Sequence, residues 1–187
     1  MWTILKKNSL LLWDLMDPIY FRITRLDYVP DDFGERTIMR VRLTKYKGRS
    51  ITLSDGTVIH KNDCLLKIHL HNIKILKQIQ NYDSDVRKAY IIYKSVQDSL
   101  PAIAHYIQGK QYSDKIKGLI GISVLNKGAK LGFESFTIQN RFYKLFKQVA
   151  FFSIHLLSSK KCSITVPEPK YLFMSKEVLL NRYLGNL

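Results

Sequence analysis

Cationic and imidazole side chains alternate with apolar ones in two segments of the 187-residue chain. These side chains are Arg40 and Arg42 in the first segment, and Lys67, His69 and His71 in the second. A guanidinium offers a planar fork to a carboxylate or phosphate, and a neutral imidazole donates to a hydroxyl or binds a metal ion. If the segments are neighbouring strands, the side chains share a face. They then predict a site for an anionic or glycan ligand, with Asn72 at its rim. A solvated outer face of an antiparallel sheet predicts the same alternation without a ligand.

Two other kinds of chemistry fit some of the same residues. His69 and His71 can chelate one metal ion, or act with Asp63 as the acid–base groups of an enzyme. The spacing fixes no third metal ligand, so we predict no metal and no other cofactor. The sequence contains no Walker loop, HExxH, GxSxG or EF-hand motif. Whether the protein is an enzyme is therefore left open.

The charge of the chain favours anionic partners. There are 30 Lys and Arg residues against 15 Asp and Glu, which gives a formal net charge of +15. The cations are spread along the sequence and form no basic run of the kind found in unstructured arms. Nucleic acid is thus a third choice of partner, behind an anionic lipid or glycan. Cys64 and Cys162 form no CxxC motif. Cys64 lies in an apolar run, as a buried free cysteine does, so we favour a reducing compartment over a disulfide and place the protein in the cytoplasm.

Alternation with a period of two predicts the strands that position the cationic side chains. The apolar faces consist of Met39, Val41 and Leu43 in one strand and Leu66, Ile68 and Leu70 in the other. Asp55-Gly56 predicts a hairpin of two shorter strands between them. The four strands, at about residues 37–71, form a small antiparallel sheet, either a meander or a partly open barrel.

Helical spacing and capping residues predict the other elements. Asn72 caps a helix that reaches Gln80, Ser84 or Asp85 begins another that reaches Leu100, and Pro101 begins a fresh helical turn. We also expect a strand pair at 118–126 and 131–138, a helix at 141–157, a short strand at 163–166, and a helix at 176–183 capped by Ser175. Strands and helices come in runs, so the predicted fold class is α+β.

The N-terminal residues predict a short amphipathic helix at about 9–16. Asp14 and Asp17 interrupt the apolar run, whereas a transmembrane helix needs about 20 mostly apolar residues. Leu12, Leu15 and Met16 share a helix face that either docks on the core or lies on a membrane surface. Any contact with a membrane is therefore expected to be peripheral.

Six stretches of the chain form a recognisable set: Leu12-Trp13-Asp14, Asp17-Pro18-Ile19-Tyr20, and the segments 40–48, 53–59, 68–72 and 174–177. This set resembles the YkoP-like domain family of Gram-positive bacteria. Their order covers nearly the whole chain, so we predict one domain over 1–187. The chain departs from the family at Asn62-Asp63, where similar domains usually have Gly-Asp.

The resemblance implies a domain that also occurs fused to polysaccharide deacetylases, and thus a role near the glycans of the bacterial cell envelope. It implies no catalytic residues. We therefore predict an accessory domain that binds an anionic lipid or glycan of the envelope through its basic sheet face. An enzyme that uses His69, His71 and Asp63 is the alternative, and a nucleic-acid-binding protein is the third.

Overall fold

The computed structural model describes residues 17–19, 21–22, 24–31, 33–123, 128–142, 144–145 and 168–185. Within these residues the strands are β1 (Asp27–Pro30), β2 (Arg36–Lys45), β3 (Ile51–Thr52), β4 (Val58–Ile59), β5 (Cys64–Leu70), β6 (Ile116–Ser123), β7 (Glu134–Thr137) and β8 (Lys170–Ser175). The α-helices with both ends among these residues are α1 (Asn72–Ile79), α2 (Asp85–Gln108) and α3 (Lys176–Tyr183), and short 3₁₀ helices cover Ser113–Lys115 and Gly128–Leu131. The predicted α+β class is confirmed.

Six strands form one sheet in the order β1-β2-β5-β6-β8-β7, and only the β5–β6 pair is parallel. This sheet is open and does not close into a barrel. The Asp55-Gly56 hairpin forms as predicted, with a φ of +85° at Gly56. Its strands, β3 and β4, form a separate two-stranded ribbon, so the strands of 37–71 are not a simple meander.

The predicted pairing of β2 with β5 is confirmed, and it is antiparallel. Met39, Val41 and Leu66 are buried in the main core, as the alternation predicts, together with residues of all three helices. Ile68 and Leu70 are partly buried against the same core. The prediction for Leu43 is wrong, because its side chain is 43% exposed near the end of β2.

The helices differ from the prediction at two positions. The N-cap of α1 is His71, without a side-chain hydrogen bond, and Asn72 is the first helical residue. Helix α2 begins after Ser84, whose side chain accepts from the Arg87 amide, and continues through Pro101 to Gln108. The buried residues that flank the proline, among them Leu100, hold both parts of α2 against the core. This packing offsets the hydrogen bond that a proline removes from a helix.

Strand β8 separates the two strands that were expected to be neighbours. Both β6 and β7 pair with β8 rather than with each other. Neither β8 nor β1 was predicted. Of the predicted helix at 141–157, residues 141–142 and 144–145 are helical. The predicted helix at 9–16 and the predicted strand at 163–166 lie outside the described residues.

Helices α1, α2 and α3 cover one face of the sheet. In the described part of the chain, two smaller elements lie on the other face, which we name the second face. The β3–β4 ribbon packs on it through a cluster of Tyr46, Leu53, Ile59, Leu65, Ile120 and Phe173. Helical residues between 17 and 24 contact it beside β1 and β2. Among the described residues, no helix has the length and apolar character that crossing a membrane requires.

Candidate functional site

The predicted site residues of the two strands lie together on the second face, in a region that we name the basic half. It consists of Arg40, Arg42, Lys67, His69 and His71. Arg40 lies directly opposite His69, and Arg42 directly opposite Lys67. The His71 amide donates to the carbonyl oxygen of Ile38 (2.8 Å), which continues this register beyond His69. Opposite residues of an antiparallel pair have Cα atoms about 4.5–5.5 Å apart. The shared face is thus as predicted, while ligand binding stays a prediction.

Arg40 is not the solvated cation that the alternation suggested, because its side chain is only 2% exposed. Its Nη1 and Nη2 donate to the two carboxylate oxygens of Asp17, at 2.8 and 2.5 Å. Nη2 also donates to the Tyr28 hydroxyl (2.9 Å). The guanidinium carbon lies 5.2 Å from the ring centre of Phe21 and 4.9 Å from that of Tyr28. Arg40 therefore has an internal carboxylate ligand.

Arg40 and Asp17 each favour the charged form of the other. Burial disfavours the charged form of Asp17, but the hydrogen bonds and charge of Arg40 outweigh it and lower the pKa of the carboxyl group. Nε2 of His71 lies 3.4 Å from Oδ2 of Asp17. Burial lowers the pKa of His71, and the charge of Arg40 lowers it further, against the opposing effect of Asp17. The imidazole is thus held mainly neutral at pH 7.

Arg42 is in a different situation from Arg40, although the two are on the same strand and face. Its side chain is partly buried, and Nη1 donates to the Thr24 carbonyl oxygen at 3.4 Å. Its Nε is buried without a hydrogen-bond partner, as is the Nε of Arg40, so the two arginines differ in their ion pairing. Within the described part of the chain, Arg42 forms no ion pair. Its cross-strand neighbour is another cation, Lys67. The guanidinium of Arg42 therefore has unfilled capacity to bind an anion.

The structure does not bring Asp63 to the two histidines. Asp63 lies just before β5, whereas His71 lies just after it. Seven strand residues at about 3.3 Å each separate the two ends by roughly 20 Å or more. Asp63 instead pairs with Lys117 (2.9 Å) and accepts from the His60 amide (2.7 Å). The three groups of the enzyme alternative do not converge.

Asn72 follows His71 directly and lies at the end of the basic half, and its place at the rim of a ligand site stays a prediction. In the residues that the structure describes, no cluster of three or more His, Cys, Asp or Glu side chains is arranged to hold a metal ion.

Sequence reasoning missed the partners of Arg40. Asp17 is 23 residues away, and no periodicity links it with β2. Tyr28 belongs to the unpredicted strand β1. The single sequence signal was that Asp17 lies in a stretch that resembles the YkoP-like family.

The other part of the second face is aromatic, and we name Tyr46, Phe136, Tyr171 and Phe173 the aromatic half. The ring centres of the other three residues lie 5.5–5.9 Å from that of Phe173. The ribbon is held over this region by polar contacts at its turn. Both the amide and the hydroxyl of Ser54 donate to Glu134, at 2.9 and 2.7 Å. The Ser175 hydroxyl donates to Asp55. Burial opposes ionisation of Asp55, but the hydrogen bonds that its carboxylate accepts, among them those from Ser175 and Thr57, together outweigh burial and lower its pKa.

The chain is thus an α+β domain with an open sheet. Helices α1, α2 and α3 pack on one face of this sheet, and the other face has a basic and an aromatic half. The sequence model described as the YkoP domain matches residues 6–183, and the chain therefore belongs to the YkoP domain family. The chain is 48% identical over 181 residues to the "Uncharacterized protein YkoP" of Bacillus subtilis (strain 168), a match that covers 96% of this chain and 98% of that protein. No solved structure matches the chain significantly.

The resemblance found in the sequence is thus confirmed over nearly the whole length of the chain. Neither match shows the fusion to polysaccharide deacetylases that the resemblance implied, and neither names a ligand or a reaction.

Proposed function

We propose that the protein is an accessory domain that binds an anionic group at Arg42, Lys67 and His69. The group is a phosphate or carboxylate carried by a lipid or glycan of the cell envelope. One observation carries the proposal: Arg42 is a partly buried cation that forms no ion pair within the described residues and has a buried Nε without a partner. A bound anion would supply the missing acceptor.

The local energetics favour such an occupant. Like charges directly opposite each other on neighbouring strands destabilise a sheet, by a few tenths of a kcal/mol up to about 1 kcal/mol. A buried donor without an acceptor costs about 1–3 kcal/mol more. An anion at Arg42, beside Lys67, would attract both cations and would accept from the Nε of Arg42.

Arg40 provides an internal example of the same chemistry. Two residues along β2, its guanidinium binds the Asp17 carboxylate through two nitrogens. A carboxylate or phosphate is therefore the kind of group that a guanidinium on this face accommodates. Asp17 is already engaged by Arg40, so the anion for Arg42 would come from outside the described residues.

The envelope part of the proposal has a separate basis. It rests on the family resemblance and on the net charge of +15, which attracts anionic surfaces. Lipid headgroups and acidic glycans share the anionic group that Arg42 would bind, so the source has to be distinguished by experiment.

The test compares the wild type with Arg42→Ala, and with Arg87→Ala as a charge-matched control. Arg87 is an exposed cation on α2, the helix that packs on the other face of the sheet. Inorganic phosphate, glucuronate and vesicles with anionic lipid are titrated separately at low and high salt. A charge-assisted hydrogen bond contributes about 1.5–3 kcal/mol, so Arg42→Ala should weaken binding tenfold or more.

The three ligands distinguish a lipid headgroup from an acidic glycan as the source of the anionic group. Saturable binding of phosphate or glucuronate identifies the anionic group, and sedimentation with vesicles at low salt but not high salt identifies a lipid surface. Equal losses in the two variants would mean that binding follows diffuse charge, and the proposed site would be abandoned.

A further inference from the structure

The second face continues from the basic half towards the aromatic half as a row of apolar side chains. Lys67 pairs with Ile120 in the parallel β5–β6 pair, so the next residues on this face, His69 and Ile122, lie level with each other. Ile122 pairs with Tyr171, and Tyr171 pairs with Phe136. A row perpendicular to the strands therefore leads from His69 through Ile122 to two aromatic rings.

This row is less covered than the row next to it. The ribbon buries Ile120 and Phe173, which are 6% and 0% exposed. Ile122, Tyr171 and Phe136 are only partly buried. Strands lie about 4.8 Å apart, so Tyr171 is about 10 Å and Phe136 about 14 Å from His69. An apolar strip thus begins where the cationic site ends.

We propose that the ligand is an amphiphilic anion whose headgroup binds at Arg42 and Lys67 and whose apolar chain lies across Ile122 and Tyr171. This inference rests on the proposed anion site and adds the class of ligand to it. A small inorganic anion would satisfy the guanidinium but leave the strip in water. An attached hydrocarbon chain would remove that apolar area from water as well, which is favourable in proportion to the area.

The experiment measures the binding of inorganic phosphate and of butyl, hexyl and octyl phosphate by calorimetry, each below the concentration at which it forms micelles. Affinity should rise about two- to fourfold for each added methylene that the strip buries. Arg42→Ala should weaken all members of the series, because they share the phosphate group.

Two substitutions separate the strip from the headgroup site. Ile122→Thr keeps a β-branched side chain on β6 but adds a hydroxyl, and should reduce the gain per methylene while leaving inorganic phosphate binding unchanged. Val58→Thr makes the same kind of change on the outer part of the ribbon, where the side chain is 36% exposed, and should change neither. If Ile122→Thr does not fold, Phe136→Leu provides the second test at the far end of the strip.

The outcomes for the two proposals differ. If phosphate binds and depends on Arg42 but chain length has no effect, the amphiphile inference is wrong and the anion site stands. A gain per methylene that is unchanged in Ile122→Thr, or in Phe136→Leu if Ile122→Thr does not fold, overturns the placement of the hydrocarbon chain on the strip. No binding of any member overturns the proposed function together with this inference.

Discussion

The two halves of the second face differ in how the chain covers their apolar rings and neutralises their charges. The aromatic half is closed by the chain itself at Phe173, because the ribbon covers this ring and polar contacts at its turn hold it there, while Tyr171 and Phe136 are partly buried. The basic half is only partly closed: Asp17 neutralises Arg40, and no carboxylate of the described residues reaches Arg42. Apolar surface can be covered by many kinds of residue, whereas a buried cation needs an anion at a particular point. Packing thus covers the centre of the aromatic half, and the basic half is left with an unmatched charge at Arg42.

The largest expected effect is on the aromatic half. Phe173→Ala removes a fully buried ring that contacts three other aromatic residues, so the free energy of unfolding should fall by about 3–5 kcal/mol. Urea denaturation gives the value. Phe142→Ala is the matched control, since that ring is 87% exposed and its loss should change stability by less than about 0.5 kcal/mol. Similar losses in both variants would show that the aromatic half is not a packed core.

A somewhat smaller effect is expected from Asp17→Ala in the basic half. It leaves Arg40 buried without a counter-charge, but Asp17 itself is 18% exposed, so water can partly replace it. We expect a loss of about 2–3 kcal/mol in the free energy of unfolding. Asp98→Ala removes an exposed ion pair with Lys94 (2.9 Å) and should cost no more than about 0.5 kcal/mol.

A double substitution sharpens this test. Replacing both partners, Asp17→Leu with Arg40→Leu, removes the buried charge as well as its ligand, and should cost less than Asp17→Ala alone. A larger loss in the double variant would mean that the ion pair is a net source of stability, and that the contrast between the two halves is weaker than described.

The contact between the ribbon and α3 should have a moderate effect. The Ser175 hydroxyl donates to Asp55 and accepts from the Val178 amide (3.0 Å), so Ser175→Ala removes a helix cap and an anchor of the ribbon. We expect a loss of about 1–2 kcal/mol in thermal or urea unfolding. Ser84→Ala removes only a cap, from α2, and should cost less. An equal cost would indicate that the bond to Asp55 contributes nothing.

The smallest effect should come from pH. Because the folded-state pKa of His71 lies below its usual value of 6.5, the folded protein binds this proton less readily than the unfolded chain. The associated stability is present above pH 6.5 and is lost as the pH falls through the folded-state pKa. Unfolding measured between pH 7.5 and 5.5 should be less pH-dependent in His71→Gln than in the wild type. His105→Gln, at an exposed position on α2, should leave the pH dependence unchanged.

The parts of the structure that the sequence predicts are those with a local signal. Period-two alternation identifies β2 and β5, and Asp55-Gly56 identifies the ribbon turn, because each depends on neighbouring residues alone. The shared face of Arg40 and His69 follows from the same alternation. The burial of Arg40 does not, because its partner Asp17 is distant in sequence and only the folded chain brings the two together.

The misses have the same physical origin. Strand β8, with the sequence KYLFMS, is buried on both faces at Phe173 and Met174 and lacks clear alternation, and its place between β6 and β7 is decided by tertiary pairing. The continuation of α2 through Pro101 likewise depends on core contacts that outweigh a local helix-breaking preference.

The parallel β5–β6 pair has a consequence for folding order. Every other pair of the large sheet is antiparallel, so β1-β2-β5 and β6-β8-β7 are two antiparallel units joined along this one seam. The seam can form only after residues 71–115, which include α1 and α2, have brought the two strands together. The chain between β6 and β8 is about as long, and loop closure of that length carries an entropic cost before any contact compensates it, so we expect both pairings of β6 to form after the short-range β1–β2 pairing.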